Sequence, residues 1–70
     1  MDINQNIKKA RIRKGKTQEE IAEKLGTNQA MIWRYETGKT EMKAKTLKRY
    51  CEILECSADE ILGLKKEEKL

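Results

Sequence analysis

The stretch Thr17 to Gly38, TQEEIAEKLGTNQAMIWRYETG, constrains this chain more than any other. It carries two helix starts and two helix stops within 22 residues. Thr17 followed three residues later by Glu20 is a capping box, in which each side chain satisfies a backbone N–H of the other residue. Ile21, Ala22 and Leu25 then recur at helical spacing. Gly26 is placed to end that helix in the left-handed conformation that glycine adopts without a Cβ penalty. Asn28 is a second N-cap, and Gly38 a second stop. Two short helices joined by a turn of three or four residues containing glycine form a helix-turn-helix.

The faces of the second helix make the pattern more specific. At about 100° per residue, Asn28, Ile32 and Tyr35 share one side, and Ala30, Trp33, Arg34 and Thr37 point the opposite way. Gln29 and Met31 lie on the flanks. The inner face is apolar apart from its cap. The outer face offers a guanidinium, an indole, a hydroxyl and a small residue, with no acid, and suits the floor of a DNA groove.

The rest of the chain is read as helical as well. There is no proline or phenylalanine and no β-branched run, which favours an all-α fold. Helix 1 is expected from Ile3 to Lys14, with Ile3, Ile7 and Ala10 inward, Asp2 as cap and Gly15 as stop. Arg11 falls at the edge of that stripe, while Ile12 and Arg13 face outward. Lys39 to Ala44 reads as a polar loop. Helix 4 is expected from about Lys45 to Leu54, with Leu47, Tyr50, Cys51 and Leu54 on one side. Ser57 and Glu60 form a second capping box before a short helix 5, Ala58 to Leu62, stopped by Gly63. The expectation is a compact bundle of five helices in one domain over residues 1–64, followed by a charged tail at 65–70.

Seventy residues allow one small core. The longest apolar run, Ala30 to Trp33, is far too short to span a membrane. The start MDINQNIKK has no apolar h-region, so it is not a signal peptide, and a cytoplasmic location is expected. Residues 1–44 carry ten Lys/Arg and six Asp/Glu, whereas residues 45–70 carry six of each. The net charge of +4 therefore lies wholly in the half that contains the two-helix motif, which points toward a polyanion partner. With two cysteines and no histidine, a structural zinc site is excluded, and neither a metal nor a cofactor is expected. Cys51 reads as a small core residue, and a disulfide is not expected without an export signal.

In order, these residues resemble the helix-turn-helix of the phage-repressor and Cro type, the XRE family. The marks are Thr17-Gln18-Glu19-Glu20, Ala22, Gly26, Gln29, Ile32, Glu36 and Gly38, with the late run Ser57 to Gly63. The resemblance covers Ile7 to Gly63. It implies a five-helix fold that binds operator DNA, usually as a dimer. It also implies that Asn28, Gln29, Ala30 and Arg34 meet base edges, with Trp33 beside the DNA. Gln18, Thr37 and Lys39 match backbone-contact positions, and Gln18 can brace Gln29. Arg11 and Glu36 match a buried ion pair tying helix 1 to the recognition helix. The chain departs from the pattern at Lys16, often apolar, in the absence of a proline after Gly38, in the size of Trp33 and in the small Ala30.

An enzyme is not expected. No serine or cysteine has a partner base, and there is no glycine-rich phosphate loop. The leading expectation is a sequence-specific regulator of transcription, a repressor that binds a two-fold operator in double-stranded DNA with helix 3 in the major groove. A weak homodimer is expected through Ile53, Ile61, Leu62 and Leu64, which offer more apolar surface than so small a core needs; the alternative is that Ile61 and Leu62 simply close the core and the protein is a monomer. No small-molecule ligand is evident. The alternative is an antitoxin-like module that mainly binds a protein; only seven residues follow Gly63, which argues against it. A non-specific nucleic-acid binder would carry a higher and less localised charge.

Overall fold

The computed structural model describes residues 3–62. Within them the chain forms five helices and no strand: α1 (Ile3–Arg13), α2 (Gln18–Leu25), α3 (Gln29–Thr37), α4 (Ala44–Leu54) and α5 (Ala58–Leu62). The all-helical architecture and the order of elements are those expected. Two boundaries shift by one residue. Lys14 lies past the end of α1, and Ala44 is already the first residue of α4. Asp2 and Gly63, read as a cap and a stop, lie outside the described residues.

Local chemistry accounts for the helix ends. The Thr17 hydroxyl accepts from the Glu20 N–H at 3.1 Å, and the Glu20 carboxylate accepts from the Thr17 N–H at 2.7 Å. The Asn28 side chain accepts from the Met31 N–H at 2.9 Å and starts α3. Ser57 and Glu60 repeat the reciprocal arrangement at 3.2 and 3.0 Å before α5. Gly26 at φ 77° turns its N–H back onto the carbonyls of Ala22 and Glu23. That left-handed turn lets α3 leave α2 after only three intervening residues.

The apolar stripes meet in one core. Ile7 and Ala10 of α1, Ile21 and Ala22 of α2, Ile32 of α3, Tyr50, Cys51 and Leu54 of α4, and Ile61 of α5 are all buried. Helix α1 packs on α3 and α5, and α2 packs on α3 and α4. Tyr50 is the largest fully buried side chain and meets Tyr35 edge to face, with ring centroids 6.3 Å apart.

Three polar side chains tie helices together where apolar contacts alone would let them slide. Asn4 of α1 donates its amide to the Tyr35 carbonyl of α3. Asn6 donates to the Ile61 carbonyl of α5 at 2.7 Å. Arg49 of α4 donates to the Lys24 carbonyl at 2.8 Å, near the end of α2, where carbonyls lack partners in their own helix. Asn6 carried a sequence signal: like Arg11, it falls at the edge of the apolar stripe of α1, where a polar side chain is half-buried.

Candidate nucleic-acid interface

Helix α3 presents Ala30, Trp33, Arg34 and Thr37 to solvent, with Gln29 exposed at its first turn. Trp33 is 46% exposed, unusual for an indole with no partner to cover it. Ile32 is fully buried on the opposite side, so the helix is pinned by its inner face and its outer face is open. Met31 is half-buried at the edge between the two.

Several outer residues are already held by neighbours. Gln29 Nε2 donates to Gln18 Oε1 at 2.7 Å. Arg34 Nε donates to the Thr40 hydroxyl at 2.8 Å, which lays the guanidinium toward the loop after α3. The Thr37 hydroxyl donates to the Trp33 carbonyl at 2.8 Å, so its proton is engaged in its own helix. Asn28 is exposed and uses its side-chain oxygen as the helix cap. Lys39 is exposed one residue beyond Gly38, and its N–H closes the end of α3 on the Arg34 carbonyl at 2.9 Å.

Beneath this face is an ion pair. Arg11 Nε donates to Glu36 Oε2 at 2.6 Å and Arg11 Nη2 to Glu36 Oε1 at 3.1 Å, a two-bonded fork. The Glu36 side chain is 1% exposed and that of Arg11 12%. Hydrogen bonding to Glu36 raises the Arg11 pKa above its ordinary value, against the opposing effect of burial. Arg11 Nη1 donates to the Lys16 carbonyl at 2.9 Å, which fixes the connection from α1 to α2. Gln18 Nε2 donates to Glu36 Oε1 at 3.0 Å. One carboxylate thus gathers α1, the start of α2 and α3.

The two helix starts differ in their fitness for phosphate. Helix α2 has Glu19 and Glu20 in its first turn, and these acids offset the positive end of its dipole. Helix α3 has no acid in its first turn, and Asn28 caps only the Met31 N–H, so the positive end of its dipole is not offset by a carboxylate.

The residues expected at a dimer contact are not one exposed patch. Ile61 is a correction: it is 1% exposed and its side chain closes the core, leaving no surface for a second copy. Ile53 and Leu62 are half-buried, and Leu64 lies outside the described residues. Sequence reasoning missed Thr40, because a contact six residues past Arg34 follows neither a helical nor a strand repeat. It also missed the bond from Gln18 to Glu36, which depends on the angle at which α2 meets α3.

A cap-bounded pair of helices, braced across their first residues and open on one face of the second, defines a helix-turn-helix domain. A family model described as helix-turn-helix matches residues 7–61. The chain belongs to this family, the phage-repressor and Cro-type helix-turn-helix (XRE) family of DNA-binding regulators. Over 68 residues it is 37% identical to a Bacillus subtilis (strain 168) protein described as "Uncharacterized HTH-type transcriptional regulator YqaE". The match covers 97% of this chain and 59% of that protein, so the chain spans about three fifths of its relative. Among the described residues no helix is long and apolar enough to cross a membrane.

Proposed function

We propose that this chain is a sequence-specific, double-stranded-DNA-binding regulator of transcription that represses by occupying its operator. The observation that carries the reading is the face of α3: exposed, free of acids and backed by a fully buried Ile32. On this reading α3 lies in the major groove. Asn28, Gln29, Ala30, Trp33 and Arg34 face base edges, with Gln29 suited to adenine and Arg34 to guanine. Gln18 and Lys39 hold the sugar-phosphate chain, and Thr37 joins them once its hydroxyl proton turns from the Trp33 carbonyl to a phosphate. Binding, not catalysis, is the activity, and residues 1–64 act as one domain in the cytoplasm.

One recognition helix reads only a few base pairs, so two half-sites about one turn apart would be bound by a pair of subunits. Among the described residues Ile53 and Leu62 are half-buried and could form a weak contact between the subunits, together with Leu64, which lies outside the described residues.

Selection of sites from a random DNA pool, followed by salt titration on the selected site and on random DNA, tests the reading. A specific regulator selects a two-fold motif and binds it much more tightly than random DNA at every salt concentration. Equal affinity for both would make the protein a non-specific binder. Footprints covering one half-site at saturation would remove the dimer.

A further inference from the structure

We infer that Glu36 is a specificity-determining positioning residue: through Gln18 it fixes which edge of the Gln29 amide faces DNA. This rests on the reading of α3 as the base-reading helix. A glutamine amide has nearly the same shape when rotated by half a turn, but its donor and acceptor change places. An exposed amide such as that of Gln29 has little packing to choose between the two states.

The choice is made from inside. The Glu36 carboxylate only accepts hydrogen bonds, and it is held in place by the two bonds from Arg11. Gln18 must therefore present an N–H to it, as the 3.0 Å contact from Gln18 Nε2 shows. That leaves Gln18 Oε1 facing outward, and only an N–H of Gln29 can meet it, at 2.7 Å. Gln29 is left with its carbonyl oxygen and one further N–H. These are the complement of adenine N6 and N7 in the major groove. A reversed Gln29 amide in the same place would set a donor against the N6 donor and an acceptor against the N7 acceptor. The relay runs from a side chain 1% exposed to an exposed one, so a buried charge directs a surface contact.

The test uses Glu36→Gln, Gln18→Met and the double variant. Each is assayed on a site selected by the wild-type chain and on its three substitutions at the position where Gln29→Ala relaxes selection. Discrimination is read as the ratio between adenine and the other bases, so a uniform change in affinity cancels. Glu36→Gln should reduce that ratio roughly tenfold, within the worth of a bidentate base contact. Gln18→Met should do the same, and the double variant should lose no more than either alone. An unchanged ratio in folded Glu36→Gln, a loss spread evenly over all four bases, or fully additive losses would each overturn the inference. If Glu36→Gln does not fold, Gln18→Met decides it, because that change leaves the ion pair intact. In the free protein, NMR should show the Gln29 side-chain amide exchanging faster with water in Glu36→Gln and in Gln18→Met; unchanged exchange would refute the relay. A wild-type chain that selects no site would defeat the regulator reading while the amide exchange still decides the relay.

Discussion

Arg11 and Glu36 are 25 residues apart in the chain, yet they form a two-bonded ion pair between α1 and α3 that water hardly reaches. A surface pair would contribute roughly 0–1 kcal/mol. Removing one member of a buried pair leaves an uncompensated charge, so Glu36→Ala should cost on the order of 3 kcal/mol. Urea denaturation measures it, and a midpoint equal to the wild type would show that the pair contributes no more than a surface contact.

Base reading and backbone holding separate by mutation. Arg34→Ala or Gln29→Ala should cost about 1–3 kcal/mol on the specific site and little on random DNA. Lys39→Ala should weaken both by similar factors and lower the salt slope by about one unit. Gln18→Ala should combine two effects: a loss on both DNAs like that of Lys39→Ala, and a roughly tenfold loss of discrimination at the base that Gln29 reads. Were Arg34→Ala to weaken specific and random DNA equally, the outer face of α3 would not be the reading face.

Tyr50 carries a hydroxyl with no hydrogen-bond partner among the described residues, inside the core. Burial raises its pKa well above the ordinary value, so the group stays neutral. A buried unpaired polar atom costs about 1–3 kcal/mol. Tyr50→Phe keeps the ring against Tyr35 and removes the orphan, so it should leave stability unchanged or raise it. A marked drop in melting temperature would mean that the hydroxyl has a partner, such as an ordered water.

Cys51 is buried and Cys56 half-buried. Burial chiefly, with Cys56 beside it, pushes the Cys51 pKa up to about 11, and burial raises that of Cys56. The thiolate is the reactive form. Labelling by a disulfide reagent at pH 8 should therefore be slow in the native protein and fast in urea. For Cys51 the native rate should climb as the pH approaches 11. Prompt labelling of both cysteines at neutral pH under native conditions would contradict their placement.

Acid should loosen the start of α2. The backbone N–H of Thr17 donates to Glu20 and lowers its pKa below the ordinary 4.5. A depressed carboxylate pKa contributes stability that is complete above the unfolded value and disappears as pH falls through the folded one. Glu20→Gln keeps a neutral acceptor and removes the titration. The stability difference between wild type and Glu20→Gln should shrink between pH 6 and pH 3, in a window set by the ordinary carboxylate value of 4.5 and the lower folded one. A difference that stays constant across that range would count against the contact.

The sequence by itself determined the helices, because the contacts that start and stop them reach only a few residues. Thr17 with Glu20, Ser57 with Glu60, Asn28 with Met31 and the turn at Gly26 are all closed within five residues of the chain. The spacing of Ile7, Ala10, Ile21, Ile32 and Leu54 likewise placed them inward, since a helical wheel needs only the repeat. The tertiary structure alone decided what depends on the angle and depth at which helices meet. It turned Ile61 into the core, because a helix of five residues is too short for its repeat to define a face. It set Arg34 against Thr40 and drew Asn4 to the Tyr35 carbonyl. It placed Gln18 between Glu36 and Gln29, where two residues of α3 seven apart can be bridged only by a side chain from another helix.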